Sequence, residues 1–176
     1  MLNNFEEQYL TMAMEQFKQF KERAEKGIQQ LSENELHWNP SEESNSIAVI
    51  IKHLSGNMHS RWVDFLITDG EKLYRDRDLE FVEGDESKEH LLQIWEEGWK
   101  ILFNTLGNLK ADDLNKTVTL RQQPLSVLQA IQIEVAHISY HLGQILYIGK
   151  QIKDKDWTIL SIPKGGSKEF NKLGTK

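Results

Sequence analysis

Two histidines, His137 and His141, are four residues apart within the stretch 134–145. Apolar residues recur there at steps of three and four, which predicts a helix with both imidazoles along one edge of its apolar stripe. Two imidazoles at this spacing can bind one metal ion. Histidines that bind nothing also occur on partly buried faces, so the metal interpretation needs a third ligand from another helix.

His53 is the candidate third ligand because it lies at the edge of the apolar stripe of another predicted helix, which begins near Ser46. Three neutral imidazoles leave one position of a tetrahedral zinc ion open for water or substrate. Imidazole ligands also suit nickel, cobalt or copper. We predict that His53, His137 and His141 converge on one divalent transition metal ion, zinc or nickel.

Acidic and amide side chains flank these histidines. Glu134 precedes His137 by about one helical turn, and Gln144 follows His141 by the same spacing. Both are predicted to lie behind the ligands and to serve catalysis, Glu134 as a general base, with Asp64 as a second acid that could approach the site. The other histidines fall in a turn or beside charged residues and are predicted not to be ligands: His37, His59 and His90.

Four amphipathic helices must position these side chains. The apolar periodicity predicts them at about residues 3–31, 46–67, 87–106 and 126–152. We therefore expect an all-α fold, a four-helix bundle in a single domain of residues 1–176 with an irregular tail from about residue 153. A short strand is predicted at 117–120. A long crossover loop at about 68–86 joins the second and third helices, and it either reaches over a pocket or is a solvated connector.

Two features of the predicted helices have alternative explanations. Gly98 lies in the middle of an apolar seam, which indicates close approach of another helix or room for a pocket, and close packing is the simpler explanation. Ile133, Tyr140 and Tyr147 form a second apolar line in the fourth helix. That line is either a dimer contact or, more simply, part of a helix that is buried on several sides.

Composition excludes several classes of function. The 176 residues carry a formal net charge of −6, which argues against a general nucleic-acid binder. The chain has no cysteine, so it has neither thiolate ligands nor a cysteine nucleophile. No apolar run approaches the roughly 20 residues that span a bilayer, and the first residues do not resemble a signal peptide. We expect a cytoplasmic protein that acts on a small molecule, with no nucleic-acid or membrane partner.

The segments at 46–53, 71–81, 95–99, 137–145 and 161–165 together resemble the DinB-like, or YfiT-like, superfamily of metalloenzymes, and more narrowly its DUF1572 branch. The resemblance covers most of the chain. It implies a four-helix bundle with a three-histidine metal site, often for nickel or zinc. Dimers are frequent in this superfamily, so a homodimer is one expectation from the resemblance.

The same resemblance implies transfer of a low-molecular-weight thiol such as bacillithiol, mycothiol or glutathione, or else hydrolysis. A cysteine-free protein can recruit an external thiol whose pKa a metal lowers. A hydrolase would instead use water on the metal, with Glu134 as the base. A third possibility is a metal-binding module without catalysis. The positive groups Arg75, Arg77 and Lys164 are predicted to border the pocket and bind an anionic substrate.

Overall fold

The computed structural model describes residues 5–173, with side chains as far as residue 171. It is mostly helical, as the all-α prediction requires; the predicted helix start near Asn3 lies outside the described residues. The elements in chain order are α1 (Phe5–Ile28), α2 (Glu33–Leu36), α3 (Ile47–Trp62), a 3₁₀ turn (Leu79–Phe81), α4 (Lys88–Asn108), a 3₁₀ turn (Ala111–Asn115), β1 (Thr117–Leu120), β2 (Gln123–Ser126), α5 (Val127–Lys153), a 3₁₀ turn (Asp154–Asp156) and α6 (Ser167–Leu173).

The four long helices α1, α3, α4 and α5 surround one apolar core. Helix α3 packs on α4 and α5, and α1 packs on α5 and α4. Trp62, Trp95 and Trp99 are each almost completely buried in this core. Burial of a large apolar side chain stabilises a fold by about 2–3 kcal/mol. The apolar stripes therefore hold the helices in the positions that bring their polar edges together.

Serine side chains start three of the long helices. The Ser46 hydroxyl accepts the Val49 N–H at 3.1 Å, and Ser87 and Ser126 cap α4 and α5 in the same way. Helix α3 ends at Trp62 rather than near Ile67, because Val63 is extended and Asp64 has a left-handed backbone with φ of 50°.

Close packing explains the glycine in the middle of α4. A Cβ atom at Gly98 would lie 2.9 Å from Ser55 Oγ and 3.0 Å from the Ser55 Cα. The Ser55 hydroxyl also donates to the Ile94 carbonyl at 2.8 Å. Gly98 therefore lets α4 approach α3, and it does not leave room for a pocket there.

A two-stranded antiparallel hairpin precedes α5. The predicted strand is present as β1, and it pairs with β2 from Thr117 opposite Ser126 to Leu120 opposite Gln123. The Asp69 carboxylate accepts backbone N–H groups at both turn residues of the hairpin, at 2.9 and 2.7 Å. The hairpin thereby fixes the start of the crossover loop.

The far end of the crossover loop is fixed on α3. The Lys52 ammonium donates to the Val82 carbonyl and to Glu86 Oε1, both at 2.8 Å. The His37 Nε2 atom lies 2.9 Å from the Glu86 carbonyl oxygen, so His37 is less solvated than its turn position indicated. The segment 68–86 is therefore anchored on the hairpin at its start and on α3 at its far end, and it is not simply a solvated connector.

The surfaces away from the core also differ in part from expectation. Ile133, Tyr140 and Tyr147 are exposed to 42%, 64% and 71%, so the simpler expectation of burial on several sides is wrong for this line.

The tail docks through Trp157, which is buried against Gly27 and Gly149. Within residues 5–173, none of the helices combines the length and apolarity that crossing a bilayer requires.

Candidate metal centre

Three histidines from two helices converge at one place. Helix α3 contributes His53, and α5 contributes His137 and His141. One potential ligand atom from each residue lies within 4.8 Å of the other two. The Nε2 atoms of His53 and His137 are 3.2 Å apart, close to the separation of about 3.3 Å that two nitrogens on one tetrahedral zinc ion adopt. The spacing of the histidines in the sequence thus becomes a compact cluster.

The second ring nitrogen of each histidine faces an oxygen atom. The His53 Nδ1 atom lies 2.9 Å from Glu80 Oε2, and the His137 Nδ1 atom lies 3.4 Å from Glu134 Oε1. The His141 Nδ1 atom lies 2.7 Å from Gln144 Oε1. An Nδ1–H that donates to such an oxygen leaves the Nε2 lone pair free. This pairing of metal-binding imidazoles with carboxylate or carbonyl oxygens is the usual arrangement in metal sites.

Glu80 reaches His53 from the crossover loop. Its carboxylate also accepts two hydrogen bonds from Arg75, at 2.7 and 2.8 Å, and both side chains are largely buried. Burial raises the pKa of Glu80, but the bonds from His53 and Arg75 outweigh it, so the pKa lies below its ordinary value. Glu80 is therefore ionised and holds His53 from behind.

Glu134 has the equivalent position behind His137. It is fully buried, Arg61 donates to its Oε2 at 3.1 Å, and the Asn57 amide, with its nitrogen turned toward the carboxylate, donates at 3.0 and 3.1 Å. Burial raises the pKa of Glu134, but the interactions with His137 and Arg61 lower it by more than burial raises it. The pKa therefore lies below its ordinary value. Two His–Glu–Arg chains thus support the cluster, one within the helices and one from the loop.

His141 is neutral at physiological pH. Burial, and then the neighbouring His137, lower its pKa to about 4. A neutral imidazole is the form that binds a metal. Its partner Gln144 is uncharged, so this third support adds no further negative charge. The donor set fits a divalent transition metal ion held by three imidazole nitrogens.

Aromatic rings border the cluster. The Phe81 ring lies 4.7 Å from the His53 ring, and the Tyr140 ring lies 5.1 Å from that of His141. The Arg77 guanidinium stacks on Phe81 at 4.8 Å and is exposed. Among the described residues, no ion pair involves Arg77, so its charge faces solvent beside the cluster.

The remaining predicted residues lie elsewhere. Lys164 is exposed in the tail, and within residues 5–173 no hydrogen bond or ion pair joins it to the cluster. Asp64 is exposed beyond the end of α3, and His90 is exposed in the first turn of α4. His59 is half-buried on α3, outside the cluster of three. Of the predicted substrate-binding residues, Arg75 is bound to Glu80, and Arg77 is the one whose charge is open to solvent beside the site.

The sequence pattern did not predict a role for Glu80. Its role depends on the path of the crossover loop, which has no periodicity to read. One signal was available: Gly56 lies in the middle of α3, where glycine costs about 1 kcal/mol relative to alanine, and its backbone faces the Glu80 carboxylate.

The comparisons with known proteins give a family but no activity. A family model described as a protein of unknown function, DUF1572, matches residues 4–166. No curated protein matches the chain.

Proposed function

The chain belongs to the DUF1572 family, and we propose that it is a metal-dependent enzyme whose His53, His137 and His141 hold one zinc or nickel ion. The observation that carries this proposal is the oxygen atom behind each Nδ1, which leaves all three Nε2 atoms available as ligands. The DinB-like four-helix-bundle arrangement, as one domain, is part of the proposal.

The reaction that we propose is transfer of a small thiol such as bacillithiol to an electrophile. A bound metal ion would lower the pKa of the thiol, which a chain without cysteine must obtain from outside. The thiol sulfur forms the new bond to the electrophilic carbon, the leaving group departs with its bonding electrons, and the thiol proton passes to solvent.

We propose that Arg77 binds the anionic group of the thiol. Its guanidinium is exposed, stacked on Phe81 and without an ion pair among the described residues. A guanidinium binds carboxylates through paired hydrogen bonds. Arg75 is committed to Glu80 and holds the loop instead. A contribution from Lys164 stays a prediction.

Hydrolysis is the alternative that an assay must separate from thiol transfer. A hydrolase needs a carboxylate that reaches the attacking water. Glu80 and Glu134 both lie behind imidazoles, and Glu134 is fully buried with its oxygens bonded to Arg61 and His137. These positions suit orientation of the ligands and favour the transferase.

A cytoplasmic location and a homodimer also stay predictions.

The test offers the zinc- or nickel-loaded protein an electrophilic dye with and without bacillithiol or glutathione. Ester, amide and lactone turnover is measured in parallel. We expect dye conjugation that requires the thiol and is lost in His137→Ala. Hydrolysis without thiol that is lost in the same variant would contradict the transferase, and inactivity in every assay would favour a non-catalytic metal-binding module.

A further inference from the structure

The crossover loop supplies part of the metal centre. We propose that Glu80 is a positioning residue for His53, that Arg75 fixes Glu80, and that Gly56 of α3 provides the space in which the carboxylate sits. This inference rests on the proposed metal site and adds three residues to it, none of which is a ligand.

The geometry distinguishes Glu80 from an ordinary loop anchor. Its Oε2 atom lies 2.9 Å from His53 Nδ1, and its Oε1 atom accepts the Arg75 Nε–H at 2.7 Å. The side chain of Arg75 is 5% exposed, and that of Glu80 is 11% exposed. A buried carboxylate with a fixed cation on one side has one preferred orientation, and that orientation sets the ring of His53.

Gly56 explains how a loop carboxylate fits against a helix. A Cβ atom at position 56 would lie 2.7 Å from the Glu80 Cδ atom, closer than real contacts of this kind. The carboxylate would have to move away from α3 and therefore away from the position where it meets His53. Alanine at this site favours the helix by propensity, so it separates an effect on the metal centre from a loss of folding.

Another loop glutamate provides the matched control. Glu86 also pairs with a cation of α3, since its Oε1 atom lies 2.8 Å from Lys52 Nζ, but it has no contact with His53. A substitution there tests what loosening the loop does by itself. Gly107 of α4 is the control for a glycine-to-alanine change, because its Cβ atom would meet only Met14 Cε, at 4.0 Å.

The experiment measures Zn²⁺ affinity by competition with a chromogenic chelator, together with the absorption spectrum of the Co²⁺-loaded protein. We expect Glu80→Gln and Gly56→Ala to weaken Zn²⁺ binding by about tenfold or more and to change the Co²⁺ spectrum. Glu86→Gln and Gly107→Ala should keep the wild-type affinity and spectrum. Melting of the metal-free proteins reports folding separately.

Two results would overturn the inference while leaving the metal proposal intact. One is wild-type Zn²⁺ affinity in both Glu80→Gln and Gly56→Ala. The other is an equal loss of affinity in Glu86→Gln, which would reduce Glu80 to a loop anchor. A wild-type protein that binds no Zn²⁺ would instead overturn the metal proposal itself.

A readout without metal completes the test. Nitrogen-15 chemical shifts of the metal-free protein report which ring nitrogen of His53 carries the proton. The wild-type protein should have the Nδ1–H form, and Gly56→Ala should show a mixture of both forms. The same mixture in the wild-type protein would contradict the positioning role.

Discussion

The Nε2 atoms of His53 and His137 lie 3.2 Å apart although the residues are separated by 84 positions in the chain. The contact between α3 and α5 produces this proximity, and the Glu80 and Glu134 carboxylates behind the two rings maintain it. Each carboxylate is in turn paired with an arginine. We therefore predict that substitutions of residues that never touch a metal ion also change the properties of the cluster.

The buried pair of Arg61 and Glu134 should contribute to the stability of the metal-free protein. Arg61→Gln leaves a fully buried carboxylate without its cation, so we expect the free energy of unfolding to fall by about 3 kcal/mol. Urea denaturation at pH 7 measures this loss. The double variant Arg61→Gln with Glu134→Gln should recover part of the stability, and an unchanged single variant would contradict the assigned role.

Arg77 should discriminate among thiols by their charge. Arg77→Gln removes a charge-assisted hydrogen bond, so we expect the KM for a thiol with a carboxylate, such as glutathione, to rise about tenfold. The KM for neutral 2-mercaptoethanol and the metal content should not change. Arg23→Gln on α1 is the matched control. Equal effects on the charged and the neutral thiol would remove Arg77 from substrate recognition.

Metal removal should loosen the crossover loop, since anything that binds the cluster also favours the loop position that supports it. With Zn²⁺ bound, we expect trypsin to cleave after Lys72, Arg75 and Arg77 several-fold more slowly than after chelation. Cleavage after Lys168, which is exposed in α6, serves as the internal control and should not depend on metal. Identical rates at the loop sites in both states would show that loop and cluster are not coupled.

Glu35 should make stability depend on acid pH. The Lys153 ammonium and the Ser32 backbone N–H lower its pKa from 4.5 to about 2. Because the folded pKa is below the unfolded one, the stabilisation is complete above about pH 4.5 and is lost as the pH falls toward 2.

Urea denaturation at pH 7, 5, 4 and 3 tests this expectation in Glu35→Gln. Its deficit at pH 7 should be about 1–2 kcal/mol, because the partly exposed ion pair is screened by solvent. The deficit should shrink toward pH 3. A deficit that stays constant over this range would exclude titration of Glu35 as its cause.

Periodicity predicted the long helices because their apolar faces build one core, and the edges of those faces predicted the three histidines. The end of α3 was placed too late since buried Phe65 continues the apolar stripe beyond Trp62, whereas the backbone turns at Asp64. Strand β2 was missed because the hairpin turn at Arg121 and Gln122 uses left-handed residues without a glycine signal.

The support behind the histidines was only partly predictable. Gln144 and Glu134 follow from helical spacing, because they lie about one turn from their histidines on the same helix. Glu80 is 27 positions from His53 and reaches it through the tertiary path of the loop, which local pattern does not encode. Gly56 marked the contact from the α3 side, where a helix-weakening residue requires a reason.

The metal content of the purified protein tests the central claim most directly. The protein is loaded with Zn²⁺, freed of excess metal by gel filtration, and analysed by inductively coupled plasma mass spectrometry. His141→Ala and a triple variant of His37, His59 and His90 are analysed in the same way. We expect one ion per chain in the wild-type protein and the triple variant, and almost none in His141→Ala. Stoichiometric metal in His141→Ala, or its loss in the triple variant, would contradict the assignment of His53, His137 and His141 as the ligands.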